Sequence, residues 1–121
     1  MPYNGYAAGN YAQLHARSIS IGRCAEFVRL AVENGGGVSL ERTRSAKDMG
    51  RALQRAGFRE AHGTPLAGDV MVIQAAPGHP HGHAAIYDGQ MWISDFRQQH
   101  GFYPGPAYRE ARPSCKLYRH H

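Results

Sequence analysis

The hydrophobic period of the chain changes once, at Thr64-Pro-Leu-Ala-Gly68, and that change restricts the fold more than any other feature. Before it, apolar residues recur at helical spacing. Phe27, Val28, Ala31 and Val32 share one face of a helix beginning near Cys24 and stopped by Gly35-Gly-Gly37. A second helix opens at Ser45, where Ser45 and Asp48 make an S-x-x-D capping pattern. It carries Met49, Ala52, Leu53 and Ala56 inward and ends at Gly57. A short helix over Asn10 to Arg17, with Leu14 on its inner face, precedes both.

After the switch the pattern is that of strands. Asp69 to Ala75 is a β-branched apolar run, Pro77 to Gly82 a loop, and His83 to Tyr87 and Gln90 to Asp95 two strands. Asp88-Gly89 joins them as a two-residue turn, which sets Tyr87 opposite Gln90, Ala85 opposite Trp92 and His83 opposite Ser94. Gly101 to Pro113, with three prolines, reads as loop, and Cys115 to Arg119 as a final edge strand. Helices followed by an antiparallel sheet make an α+β fold, and 121 residues suffice for one domain, taken as 1–121.

Composition narrows the function classes. The 42% apolar and 19% charged content is that of a globular chain. Apolar runs are too short for a membrane span, and the N-terminus lacks the basic start and apolar stretch of a secretory signal. The net charge of +5 comes from twelve Arg and two Lys against nine acids, which favours anionic surfaces. The Arg residues are scattered, so a dedicated nucleic-acid arm is not expected. Two cysteines, Cys24 and Cys115, are too few for a disulfide scaffold. The terminal Arg119-His-His121 reads either as native or as the stub of a purification tag.

The chemistry-bearing pattern is a cysteine at a helix start followed about sixty residues later by a histidine opening a strand. A helix N-terminus favours the thiolate, and a neighbouring imidazole can take the thiol proton and return it to a leaving amine. Gly22 allows the sharp turn before Cys24. The third group, which orients the imidazole, is Asp95 if the hairpin carries a small bulge, and Ser94 or a backbone carbonyl if it does not. His79, His81 and His83 would share a face in a continuous strand, as metal ligands do, but Pro80 and Gly82 argue against that strand. The competing readings are that His79 and His81 are loop residues beside one working His83, or that the whole stretch is a solvated polar loop.

The ordered set Gly22-Arg-Cys24-Ala25, Gly68-Asp69-Val70 and Gly82-His83-Ala84-Ala85-Ile86-Tyr87 resembles the NlpC/P60 and CHAP superfamily of papain-like cysteine peptidases and amidases. The likeness covers about Ser20 to Phe96. It implies a papain-like domain with the Cys24 helix on an antiparallel sheet, and hydrolysis of an amide in peptidoglycan stem peptides or cross-links through a thioester. It implies Cys24 as nucleophile, His83 as base and then acid, and a third polar residue near Asp95. An oxyanion hole would include the Cys24 backbone N–H, with Tyr6 or Tyr11 as an aromatic lining it. No metal or organic cofactor is implied, and Cys115 is a bystander.

The small, basic, leaderless form also looks like the amidase effectors of type VI secretion systems, which act in a rival's periplasm. An immunity protein that plugs the cleft would then be the partner, with no nucleic acid and no membrane insertion. A phage lysin fits the same features. Three other classes stay open: a cysteine peptidase or acyltransferase acting on protein or lipid, a non-catalytic basic module binding nucleic acid, and a metal-dependent hydrolase built on His79, His81 and His83.

Overall fold

The computed structural model describes residues 2–120, so His121 and the reading of the terminal histidine pair lie outside the described residues. Among the described residues, four α-helices and six strands follow in the order α1 (Gly5–His15), α2 (Cys24–Leu30), α3 (Met49–Arg55), β1 (Phe58–Ala61), β2 (Val70–Ile73), β3 (His83–Tyr87), β4 (Trp92–Ile93), β5 (Arg97–Gln98), α4 (Pro106–Ala111) and β6 (Cys115–His120). The strands form one antiparallel sheet in the order β1-β6-β2-β3-β4-β5. This is the α+β arrangement that the period switch predicts.

Alternation along the strands divides the core between the two faces of the sheet. Val70, Val72, Ala84 and Ile86 meet Val28, Val32 and Leu53 of the helical layer. Met71, Ile73, Ala85 and Leu117 pack with Trp92 and Tyr108 on the other face. Asp69, almost fully buried, opens β2 and is held by Arg119 of β6 through a 2.7 Å Nη2–Oδ2 contact.

Several expectations are corrected. α1 starts five residues earlier than predicted and buries Ala8, Gly9 and Ala12. Leu14 lies two positions beyond Ala12, about 200° around the helix, and is 79% exposed rather than inward. α1 packs so closely on the next layer that a Cβ on Gly35 would meet the Ala7 carbonyl and Tyr11. The Cys24 helix continues past Leu30 as a π-helical turn, Ala31–Gly35, before Gly37 takes the left-handed conformation (φ 81°). The Ser45 capping box does not form. Ala46–Asp48 is a 3-10 turn leading into α3, and the Ser45 hydroxyl instead meets His81 Nδ1 at 2.7 Å.

The sheet differs too. β1 was not predicted, because Phe-Arg-Glu-Ala is short and lacks β-branched residues. Its pairing with β6 makes β6 an interior strand rather than an edge. In the predicted loop, Pro106 starts α4, at the first helical position where proline is tolerated. The hairpin register shifts by two residues, with Tyr87 opposite Trp92 and Ile86 opposite Ile93. Asp88 causes the shift: its Oδ1 accepts from the Gln90 and Met91 amides at 2.8 Å each, and its own amide reaches the Met91 carbonyl. The turn therefore spans residues 88–91 rather than two.

Candidate active site

A cavity of about 690 Å³ opens between the start of α2, the loop before β3 and α4, and both Cys24 and His83 line it. Cys24 is the first residue of α2, behind the Gly22 turn (φ 73°). His83 is the first residue of β3 and is buried. Gly82 before it has φ 68°, and a Cβ there would run into the Ile73 carbonyl and Lys47. Only glycine lets the chain enter β3 at this angle.

The group that holds the imidazole is Gln98. His83 Nε2 lies 2.7 Å from Gln98 Oε1, and Gln98 is 3% exposed. Both hydrogens of the Gln98 amide nitrogen are committed, to the carbonyls of Gly101 and Phe102 at 2.9 Å each. The amide oxygen is therefore the atom that faces the ring, and it only accepts. Nε2 must carry the proton, which leaves the lone pair on Nδ1. Burial lowers the His83 pKa, while the Gln98 bond and the Asp95 charge oppose that fall. The resting ring is neutral, as a base must be.

Asp95 and Ser94 do not meet the imidazole. The three-residue turn between Ile93 and Arg97 carries Asp95 toward the segment before α2. There Asp95 Oδ2 accepts from the Ile21 and Arg23 amides at 2.8 and 2.9 Å, and Oδ1 accepts from the Ser94 hydroxyl at 3.3 Å. The two-residue shift of the hairpin removes the register that put His83 opposite Ser94. Gln98 was missed because it enters only through the β4-β5 turn, for which the sequence offers no motif.

The thiol is not favoured as thiolate at rest. Burial is the main cause that raises the Cys24 pKa, and the Asp95 charge adds to it. Hydrogen bonds from the Ala84, Ala25 and Cys24 backbones pull the other way without winning. The expected lowering at the helix start is therefore outweighed. Both cysteines are free thiols, and Cys115 lines a different cavity beside Lys47 and Arg51.

Neither tyrosine expected beside the nucleophile lines the cavity. Tyr6 is 78% exposed, and Tyr11 stacks on His15 at 3.9 Å. Phe96 does, and so does Tyr108 of α4, 3% exposed, with its ring 5.0 Å from that of His79 and 5.9 Å from that of His83. Burial and the nearby Cys24 push its pKa up to about 12, so the hydroxyl stays protonated. The three histidines are engaged separately: His81 with Ser45, His79 against Tyr108 and His83 with Gln98.

Comparison with known proteins adds a family. The model of the CHAP domain matches residues 14–97. A chain in the crystal structure of the type VI native effector-immunity complex Tae3-Tai3 from Ralstonia pickettii is 65% identical, with a TM-score of 0.96 over 98% of this chain and 100% of that one. The selenomethionine form of that complex gives 65% identity and a TM-score of 0.91 over 93% and 99%. Ly7917, at 16% identity and a TM-score of 0.60 over 95% of this chain and 61% of its own, shares the fold. No curated protein sequence matches the chain.

Proposed function

The chain belongs to the CHAP family, and on that premise we propose that it is a type VI effector, a cysteine amidase that hydrolyses an amide bond in peptidoglycan stem peptides or cross-links. Its site of action is the periplasm of a target bacterium. Its protein partner is an immunity protein, as Tai3 is for the 65% identical Tae3. No helix among the described residues is long and apolar enough to cross a membrane.

In this reading Cys24 is the nucleophile and His83 the general base. The observation that carries it is the locked Gln98 amide, which leaves the lone pair on Nδ1 of a neutral imidazole sharing a cavity with Cys24. Thiol and imidazole both start neutral, so proton transfer accompanies attack rather than preceding it. Cys24 Sγ bonds to the amide carbonyl carbon as its proton passes to His83. The carbonyl oxygen takes the charge and is met by the Cys24 backbone N–H at the helix start. His83 then gives the proton to the amine, the C–N bond breaks, and a thioester remains. Water attacks the thioester with His83 again taking a proton. The C–S bond then breaks, His83 returns the proton to the Cys24 sulfur, and the acid leaves.

Gln98 carries no charge, so it sets the tautomer and the ring angle without stabilising imidazolium by ion pairing. The Arg excess holds the enzyme on an acidic wall, a contribution that weakens with salt.

The test is digestion of purified peptidoglycan by wild type, Cys24→Ala and His83→Ala, with and without chelator, the fragments read by mass. Fragments made by wild type, lost in both variants and indifferent to chelator support the reading and identify the bond. A wall left intact by folded wild type overturns it. Cleavage that survives Cys24→Ala but stops with chelator moves the chemistry to the histidines.

A further inference from the structure

The segment that delivers Cys24 has little packing of its own. Every residue from Arg17 to Arg23 is exposed, including Ile19 and Ile21. The N-cap of α2, Arg23, has no side-chain cap within its own helix, and its side chain turns to Glu26 instead. What fixes this segment comes from the sheet, chiefly from Asp95, beside an isolated parallel bridge between Arg17 and Phe96. The fully buried Asp95 takes the Ile21 and Arg23 amides on a single carboxylate oxygen, and its backbone carbonyl takes the Arg17 amide at 2.8 Å. Ser94, itself buried, steadies the other carboxylate oxygen.

We infer that Asp95 is a positioning residue for the nucleophile: its carboxylate clamps the exposed turn that sets Cys24 at the helix start, and places a buried negative charge behind the thiol. This rests on Cys24 being the nucleophile. A carboxylate bound to backbone amides holds the turn in one conformation, so the sulfur meets substrate without first being ordered. The charge is a second effect of the same atoms, since it disfavours a resting thiolate. The reactive form then appears only as His83 takes the proton.

The other titratable groups around the thiol can be named. Its own helix carries the Arg23–Glu26 pair. The loop before β3 and β3 itself bring His79, His81 and His83, the segment before α3 brings Arg44, and α4 brings Tyr108. Burial is the larger cause that raises the thiol's pKa, and the Asp95 carboxylate, bonded to the neighbouring Arg23 amide, adds to it.

Two substitutions separate the clamp from the charge. Asp95→Asn keeps an oxygen where two amides converge and turns an NH2 toward the Ser94 hydroxyl, which can accept. It removes the charge and leaves the bonds. Asp95→Ala removes both. In a Cys115→Ser background, the rate of Cys24 alkylation by iodoacetamide is measured against pH, with circular dichroism reporting the fold. The expected result is a shift of the Asp95→Asn profile to lower pH, with faster alkylation at neutral pH than in the parent. Superimposable profiles for two folded proteins overturn the charge role.

For the clamp, kcat/KM on peptidoglycan falls on the order of 10²-fold in Asp95→Ala, in keeping with displacement of a reacting atom by about 1 Å. Parental activity in Asp95→Ala overturns it. The alkylation arm needs no substrate. A wild type that leaves the wall intact therefore refutes the peptidoglycan reading, while the alkylation profiles still decide the charge.

Discussion

Replacing Gln98 by leucine isolates the claim that a neutral amide sets the working tautomer of His83. Leucine fills nearly the same volume, so the change deletes three hydrogen bonds: one to the imidazole at 2.7 Å and two to the Gly101 and Phe102 carbonyls at 2.9 Å. At about 1 kcal/mol net for each bond, the variant should lose roughly 3 kcal/mol of stability. For a chain of this length that is a fall in Tm on the order of 10 °C. Activity should fall by more than stability can account for at an assay temperature where the variant stays folded. The ring is then free to turn and to carry its proton on Nδ1, the nitrogen that must be vacant. Loss of a tautomer-setting partner lowers kcat by roughly 10²-fold or more. The assay is kcat/KM on purified peptidoglycan at a temperature well below both melting points, with thermal unfolding followed in parallel. A variant that melts about 10 °C lower yet keeps kcat/KM within about threefold of wild type would refute the tautomer argument. Gln98 would then be a structural residue only.

Other outcomes follow from the same structure. Burial lowers the His83 pKa below its usual 6.5, so between the folded and unfolded values the unfolded chain binds the extra proton. Stability from this group is present above about pH 6.5 and is lost as pH falls through that window. Urea midpoints should drop on acidification, and by less in His83→Gln. Arg119→Met strands the almost fully buried Asp69 without its cation and should cost about 3–5 kcal/mol in urea unfolding. A loss under about 1 kcal/mol would mean the pair contributes as little as an exposed one. Gly82→Ala, at φ 68° and against the Ile73 carbonyl, should displace the start of β3 and lower both Tm and kcat. Wild-type melting and turnover in that variant would show that the entry to β3 tolerates a side chain.

The readable parts of the site were those fixed by local chemistry. A cysteine after a glycine turn and before an apolar helical stripe places itself, and so does a histidine after Gly82 at the head of the apolar run Ala84-Ala-Ile86. The partners of these two residues were not readable, because each depends on geometry that no short motif encodes. Asp88 bonds to the Gln90 and Met91 amides and lengthens the hairpin turn, which moves the register by two. That shift, with the turn after Ile93, gives Asp95 to the α2 entrance and brings Gln98 to the imidazole. Tyr108 was hidden for another reason. Its prolines read as breakers, whereas Pro106 begins the helix that lays the ring beside His83. The thiol was misjudged by weighing the helix start alone, when burial and the Asp95 charge act against it.

Whether Cys24 carries the acyl group can be read from the mass of the intact protein. Enzyme mixed with excess peptidoglycan fragments is quenched in acid within the first turnovers and weighed. The expected result is a stem-peptide adduct that maps to Cys24, is released by hydroxylamine as a thioester would be, and is missing from Cys24→Ala. Steady cleavage by the wild type with no adduct at Cys24, together with cleavage by Cys24→Ala, would contradict it.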